Sequence, residues 1–342
     1  MMYPRLLLIG NFISQHGHTP QMGEFLARNF TNMAIPVITT SHFKSKPLRF
    51  MGMMCTIIFK RNKYDCVLIE LFSGPAFYWG FCSGILLKLL HKPYMLDLRG
   101  GNLPPFSEKH TFLFSFLLSH AAKIISPSFY LQSWALRFTK LCQIIPNPIM
   151  LENYTFKKRN TFRPRLFWLR RFHNIYNPLM AVKLIAELKK QYPHCLLTMA
   201  GPDSGAFKSC KSLTKELGLE NNILFPGRLS KKEINQEGMR HDFFINTSKI
   251  DNTPFTLIEA AAMGLLLIST NAGGIPQLFK HNNEAFLFSI DDYSAMAQKI
   301  TEIIKNPEAG TLVLTCARKS VEHYSWDKVK LLWSDLFKGL KA

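Results

Sequence analysis

The chain has 342 residues, which is long enough for two domains of common size, and its hydrophobic content of 47% is that of a globular protein. Its formal net charge is +19, and the excess is concentrated in residues 1–160, which hold 18 Lys and Arg against 6 Asp and Glu. A charge of this size favours an anionic partner. No uncharged run approaches the roughly 18 residues that would predict a membrane-spanning helix.

The first half alternates strand-like runs with helical patterns, which is typical of a parallel α/β sheet. The seven cysteines are scattered and form no CxxC pair, so we expect reduced, buried thiols and a cytoplasmic protein. Residues 151–164 are polar, basic and aperiodic, and they are interpreted as a linker. The predicted strands are 5–10, 36–40, 66–71, 94–98, 123–126 and 143–145, and the predicted helices are 21–29, 48–60, 76–90, 111–122 and 129–138.

A second alternation follows the linker. Its predicted strands are 165–169, 195–200, 223–226, 243–247 and 265–270, and its predicted helices are 178–191, 209–217, 231–238, 294–305 and those from about 307 onward. The fold class predicted from both halves is α/β, with two Rossmann-like domains facing each other across a cleft. We expect the domains at 1–152 and 160–322, with the ligand at the carboxyl ends of the strands.

The segment 251–278 reads DNTPFTLIEAAAMGLLLISTNAGGIPQL and combines two carboxylates with a glycine turn. Asp251 lies in a polar stretch, and Glu259 follows at the start of a predicted helix. Gly273 and Gly274 break the strand that comes after this helix. A helix N-terminus near a glycine-rich turn favours phosphate, and fixed carboxylates suit sugar hydroxyls. The segment therefore predicts a site for a phosphorylated sugar.

This segment resembles the donor-binding motif of the retaining, nucleotide-sugar-dependent glycosyltransferases with the two-domain GT-B fold (family 4, glycosyl transferases group 1). That family has an acid, seven residues, Glu, small residues, Gly, an apolar strand and Gly-Gly-x-Pro. Its first acid is usually Glu, whereas Asp251 is one methylene shorter. The resemblance implies that the last helix, about 325–342, crosses back to the first domain, which binds the acceptor.

The resemblance also assigns roles in the second half. It implies that Glu259 accepts hydrogen bonds from the ribose hydroxyls, that Asp251 binds a hydroxyl of the donor sugar, and that Arg171 holds the diphosphate. These three residues are the expected catalytic set. The family's phosphate-binding Lys is replaced by Tyr176, so either Arg170 or Lys208 supplies the missing charge. Further donor-binding candidates are Gly201, Gly227 and the backbone amides of Thr256 and Leu257.

The first half offers acceptor-side candidates. In the family a glycine-rich loop follows the first strand, and Gly17 matches it between His16 and His18, which are either acceptor contacts or merely solvated. Arg99 stands where relatives carry His, close to Asn102. An arginine does not exchange a proton near pH 7, so Arg99 is expected to hold an anion.

No HExxH, DxD or Cys/His cluster is present, so we expect a nucleotide-sugar co-substrate and neither a metal nor another cofactor. The family implies hexosyl transfer to a glycan or lipid-linked acceptor in the synthesis of bacterial-type surface polysaccharide. The basic segment 44–63 is interpreted as a helix that contacts an anionic membrane surface from the cytoplasmic side, or as an ordinary surface helix.

Two other classes of function stay open. The same fold would serve a nucleotide-sugar epimerase, and the positive charge would suit a nucleic-acid-binding protein. A non-catalytic sugar-binding protein is the remaining alternative. We expect no nucleic acid as a partner, because the charge is dispersed and no RRM, KH or helix-turn-helix pattern is present. A dinucleotide oxidoreductase is disfavoured, because no GxGxxG follows the first strand.

Overall fold

The computed structural model describes residues 3–16, 20–40 and 42–340. The chain forms two compact units. Unit 1 consists of Met1–Asn147 and Val329–Ala342, and unit 2 consists of Pro148–Lys328. The expected boundary at residue 152 therefore lies slightly late, because the chain enters unit 2 at Pro148, next to Ile149, which pairs with Ser325.

Unit 1 is built on a parallel sheet of six strands in the order β2-β1-β3-β4-β5-β6, counted over the described residues. The strands are β1 Leu6–Ile9, β2 Val37–Thr39, β3 Cys66–Leu71, β4 Tyr94–Leu98, β5 Lys123–Ser126 and β6 Gln143–Ile144. The helices that follow them are α1 Met22–Asn32, α2 Lys46–Phe59, α3 Pro75–Leu89, α4 Leu103–Glu108, α5 Thr111–Ser119 and α6 Phe129–Ala135.

Unit 2 repeats the architecture in the order β12-β11-β10-β7-β8-β9. Its strands are β7 Arg165–Leu169, β8 Leu196–Ala200, β9 Ile223–Gly227, β10 Phe243–Asn246, β11 Leu266–Thr270 and β12 Phe286–Phe288. Its helices are α7 Pro178–Lys189, α8 Phe207–Glu216, α9 Lys231–Arg240, α10 Phe255–Ala262, α11 Ile275–Leu278, α12 Tyr293–Lys305 and α13 Pro307–Val321. One more helix, α14 Trp326–Lys338, begins in unit 2, and its residues from Val329 onward belong to unit 1.

The strands are apolar on both faces, because helices cover both sides of each sheet. In β7, Leu166 and Trp168 belong to one core cluster, whereas Phe167 and Leu169 belong to the cluster on the opposite face. A side-chain period of two along a strand produces this division. The sheet is thereby fixed from both sides, and most polar groups lie in the loops at its ends.

The segment interpreted as a linker is part of unit 2. Tyr154 is buried, and the Arg159 side chain donates hydrogen bonds to the carbonyls of Gly238 and Gly264 and forms an ion pair with Asp242 at 3.3 Å. The sequence did not predict this packing, because the segment is polar and has no periodicity. Its polar groups form their hydrogen bonds inside the fold instead of with water.

Two further observations bear on the sequence expectations. Cys55 is exposed on α2, although buried thiols were predicted, and within the described part of the chain all seven cysteines are free. Over the same residues, no helix is long and apolar enough to cross a membrane.

Candidate active site

The carboxyl ends of the strands of unit 2 carry most of the predicted donor-binding residues. Arg170 follows β7, Gly201 follows β8, Gly227 ends β9, and Asp251 comes after β10. Because β7, β8, β9, β10 and β11 run parallel, all these loops leave the sheet at the same edge. The topology therefore gathers residues that are up to about eighty positions apart in the sequence.

Asp251 pairs with Arg170. The Arg170 Nη2 atom donates to Asp251 Oδ2 at 2.5 Å, and the Asn252 amide donates to Asp251 Oδ1 at 2.9 Å. The Arg170 guanidinium also lies over the Tyr176 ring, 5.1 Å from its centroid. Both members of the ion pair are largely buried, so the contact is stronger than an exposed one. The two residues form a charged, preorganised corner at the edge of the sheet.

Gly201 supports this corner through its backbone. Its φ is +146°, and a Cβ atom at this position would lie 1.8 Å from the Arg170 carbonyl oxygen. Its amide donates to the Gly227 carbonyl at 2.8 Å. Gly201 and Gly227 thus act as backbone supports for the Arg170 loop, and no larger residue fits at Gly201 without moving that loop.

Glu259 lies on α10 and is buried at 3% exposure. Its Oε1 atom accepts a hydrogen bond from the Tyr154 hydroxyl at 2.5 Å and forms an ion pair with Lys231. Burial, together with the Glu259 charge, raises the pKa of Tyr154, so this hydroxyl stays a donor. Its Oε2 atom makes no hydrogen bond to the described residues and is available to a ligand.

Buried polar atoms that lack a partner lie at the start of α10 and in the loop after β7. The hydroxyls of Thr253 and Thr256 and the Nε atom of Arg170 make no hydrogen bond within the described part of the chain. Leaving such an atom unpaired costs about 1–3 kcal/mol, so each one calls for an explanation. Leu257 does not fit its predicted role, because its amide already donates to the Pro254 carbonyl at 3.0 Å and its side chain belongs to the core.

Arg171 is separated from this cluster. Its side chain is exposed and makes no ion pair to the described residues, whereas its neighbour Arg170 points to Asp251. Lys208, the other candidate for the missing lysine, is exposed on α8. Asn177, which stands at the family's Gly position, has a φ of +47° and donates to Asp291 at 2.7 Å.

The acceptor-side candidates of unit 1 are dispersed. His16 ends a short 3-10 turn and donates from Nε2 to the His42 carbonyl at 2.8 Å. Asn102 is exposed at the start of α4. Gly17 and His18 lie outside the described residues.

The Arg99 side chain is buried in unit 1 and paired there with acidic side chains. It forms ion pairs with Asp97 and, at 3.6 Å, with Glu70, and it donates a hydrogen bond to Asn147. Burial raises the pKa of Glu70 to about 7 and that of Asp97 to about 6, although Arg99 opposes both shifts. This differs from the expectation that Arg99 holds an anion of the ligand, because its guanidinium is already engaged by two buried acidic side chains of the fold.

Sequence reasoning missed Tyr154, Lys231, Thr253 and Glu70. Lys231 had a signal in Ser230-Lys231-Lys232-Glu233, because the Ser and the Glu form a capping box that fixes the first turn of α9. The pattern does not say which lysine faces Glu259. Tyr154 had no such signal in the sequence, since it lies in the aperiodic segment 151–164.

Comparisons with known proteins agree with this geometry. Residues 153–313 match the family model described as "Glycosyl transferases group 1". The N-acetyl-alpha-D-glucosaminyl L-malate synthase of Bacillus anthracis is 27% identical over 148 residues, which are 43% of this chain and 37% of that protein. An uncharacterized glycosyltransferase of Haemophilus influenzae is 26% identical over 45% of this chain and 43% of its own length. The matched segments thus span less than half of these relatives.

The structural likeness extends over nearly the whole chain. Anabaena Alr3699/HepE in complex with UDP has a TM-score of 0.77 at 15% identity, covering 98% of this chain and 100% of that chain. The sucrose-phosphate synthase of Thermosynechococcus elongatus has a TM-score of 0.79 at 14% identity, covering 98% and 99%. These values confirm the predicted fold class. The chain therefore has the GT-B fold, and its residues 153–313 are similar to the glycosyl transferases group 1 family.

Proposed function

We propose that the protein transfers a sugar from a nucleotide sugar to a glycan or lipid-linked acceptor, and that the donor binds at the carboxyl edge of unit 2. The observation that carries this proposal is a set of unpartnered buried donors in two loops at this edge: Arg170 Nε after β7, and the hydroxyls of Thr253 and Thr256 at the start of α10. A diphosphate offers the acceptors that these atoms lack, and a helix N-terminus beside them favours negative charge.

The roles of the carboxylates follow from their surroundings. Glu259 is held at Oε1 by Tyr154 and Lys231, and its Oε2 would accept hydrogen bonds from the ribose hydroxyls. Asp251 is oriented by Arg170 toward the same strand edge and would bind a hydroxyl of the sugar. Arg170 stands in for the family's lysine in this proposal, because Arg171 is exposed and makes no contact with Asp251.

Ligand binding tests this assignment. Wild-type protein should gain thermal stability with UDP or UDP-glucose, because a ligand that binds only the folded state stabilises it by mass action. Glu259→Gln should weaken binding about tenfold, since one ribose acceptor is replaced by an amide. Glu302→Gln, on the exposed face of α12, should bind like wild type. Equal affinity of the Glu259 variant and wild type would contradict the ribose role.

We also propose that the reaction retains the anomeric configuration and needs no bound metal. Within the described residues there is no group of three or more His, Cys, Asp and Glu side chains that could hold a metal ion, and Arg170 provides positive charge at the edge where the leaving diphosphate would lie. NMR of the product should show the anomer of the donor, and activity should persist in EDTA. Loss of activity that Mg²⁺ restores would contradict the metal-free mechanism.

Transfer is favoured over the other classes of function. A relative from Campylobacter jejuni that is 24% identical over 60% of this chain is named an alpha-1,4-N-acetyl-D-galactosaminyltransferase. Incubation with UDP-glucose in the absence of acceptor should leave the sugar unchanged, whereas an epimerase would convert it. A nucleic-acid-binding protein would keep its affinity for DNA or RNA in the Glu259→Gln variant and would show no stabilisation by UDP.

We propose that unit 1 contacts an anionic membrane surface through α2. The outward stripe of this helix is apolar, since Leu48 is 50% exposed, Met51 59% and Ile58 41%. Residues 42–64 contain no Asp or Glu, and Lys44, Lys46, Lys60, Arg61 and Lys63 flank the stripe. An apolar face among cations is the pattern of a helix that lies on anionic lipid, on the cytoplasmic side in our proposal.

Vesicle flotation tests the membrane face. Wild-type protein should float with vesicles of phosphatidylcholine and phosphatidylglycerol and should stay behind with phosphatidylcholine alone. Leu48→Glu combined with Met51→Glu should abolish flotation, whereas Leu312→Glu, an exposed leucine of unit 2, should have no effect. Flotation of the double variant at the wild-type level would exclude α2 as the contact.

A further inference from the structure

Unit 1 contains a cavity of about 780 Å³ at the carboxyl end of β2. One wall is the strand itself and the residue after it, Thr40. The opposite wall is a stripe of α2 formed by Gly52, Thr56 and Lys60, which lies beside the outward apolar stripe of the same helix. The volume is within the range of small-molecule sites.

The lining of this cavity is suited to an anion. Lys44 and Lys60 supply positive charge, and no Asp or Glu contributes to the lining. His16 and His42 lie at the rim, where each ring is fixed by a hydrogen bond that it donates to a backbone carbonyl, at 2.8 Å to His42 and at 3.1 Å to Phe12. Lysines without nearby carboxylates are the groups that phosphate selects.

Thr40 provides an independent sign of a missing ligand. The residue is buried at 1% exposure, and its Oγ1 atom has no hydrogen-bond partner among the described residues. A buried hydroxyl without a partner is destabilising by about 1–3 kcal/mol, unless a ligand or water satisfies it. Thr40 lines the cavity, so an occupant that reached this hydroxyl would supply the partner that it lacks.

We propose that this cavity binds the phosphate head of the lipid acceptor while α2 lies on the membrane that carries this lipid. Lys60 lines the cavity and also flanks the apolar stripe that includes Met51 and Ile58, so the bound phosphate would lie at the level of lipid head groups. The proposal rests on the proposed function, because the lipid bound here is the acceptor of the sugar. It gives His16, an acceptor-side candidate from the sequence, a place beside the phosphate.

The test uses dihexanoyl phosphatidic acid below its micelle concentration as the probe, measured by isothermal titration calorimetry. Wild-type protein should bind it, and dihexanoyl phosphatidylcholine, whose choline cation cancels the charge of its phosphate, should not bind. Thr40→Val, which keeps the shape and removes the hydroxyl, and Lys60→Gln should each weaken binding about tenfold. Lys63→Gln, an exposed cation that does not line the cavity, should bind like wild type.

Three results would overturn the inference: no binding of phosphatidic acid by wild type, equal losses in the Lys63 control, or inorganic phosphate binding as tightly as the lipid. UDP binding by unit 2 is measured on the same variants and should not change, which shows that they are folded. If phosphatidic acid binds but no nucleotide sugar does, the proposed function fails and the cavity stands alone. If the nucleotide sugar binds but phosphatidic acid does not, the proposed function stands and the inference about this cavity fails.

Discussion

Asp251 shows how single residues fix the candidate site. Its carboxylate is held by Arg170, and its carbonyl accepts a hydrogen bond from the Gly274 amide at 2.9 Å. The neighbouring Gly273 has a φ of +57°, and a Cβ atom there would lie 2.0 Å from the Asp251 carbonyl oxygen. The glycine turn of the motif thus positions the acid, in addition to any approach to phosphate.

We expect Gly273→Ala to displace the Asp251 loop. The substitution combines a left-handed backbone with a direct clash, so the protein should lose more than about 2 kcal/mol of stability and most of its UDP-glucose binding. Gly205→Ala is the matched control, because its φ is +103° but its Cβ would meet no atom within 4 Å. Urea denaturation and calorimetry of both variants check this, and equal losses would show that the clash is unimportant.

Arg159 is the second residue with a large expected effect. It is 2% exposed, pairs with Asp242 and donates to several backbone carbonyls of unit 2. Arg159→Met should lower the free energy of unfolding by about 3–5 kcal/mol, because Asp242 and the carbonyls lose a buried partner. Arg240→Met, at an exposed arginine of the same unit, should cost less than about 1 kcal/mol in urea denaturation. Similar values for the two variants would contradict the role of Arg159.

At the scale of elements, buried strands could be predicted from the sequence, whereas very short elements could not. The strands β3, β4, β5 and β7 have the predicted bounds, because each is a short, mostly apolar run between polar breaks. The short elements α4, α11 and β12 were not predicted, since three to six residues are too few to display a period. The same limit applies to the site: Asp251 and Glu259 are visible in a motif, whereas the partners of Glu259 depend on tertiary contacts.

The register of two strands creates a pH-sensitive pair. Glu70 on β3 is opposite Asp97 on β4, and Arg99 is the cation between them. Burial raises the pKa of Glu70 from 4.5 to about 7, so the folded state keeps a proton that the unfolded state has released. Stability should therefore decrease as the pH rises from about 4.5 to about 7 and level off above that range.

Glu70→Gln should flatten this dependence, because the amide is uncharged at every pH. The measurement is the free energy of unfolding in urea between pH 4.5 and pH 8, compared with Glu108→Gln, an exposed residue of α4, as the control. The prediction concerns the difference in slope between the variants, in which the carboxylates outside the Glu70 and Asp97 pair cancel. If the Glu70 variant had the slope of wild type, a group other than Glu70 would be responsible for the pH dependence.

At the scale of the whole molecule, the chain leaves unit 1 at Asn147 and returns to it at Val329. The returning helix α14 places Trp333 and Phe337 on Phe30 of α1, with ring centroids 5.2 Å apart in both pairs, and Ser334 forms a hydrogen bond with the Tyr3 hydroxyl at 2.8 Å. Unit 1 is therefore discontinuous in sequence, and its core includes aromatic side chains of α14.

We accordingly expect Trp333→Ala to destabilise unit 1 by about 3–5 kcal/mol, the usual cost of deleting a buried aromatic side chain. Amide hydrogen exchange should become faster in α1, which loses its packing partner, while UDP binding by unit 2 stays at the wild-type level. Leu331→Ala, on the same helix but 59% exposed, should change neither. If exchange in α1 were unaffected by the loss of Trp333, the returning helix would be an appendage and residues 1–147 would be sufficient for the fold of unit 1.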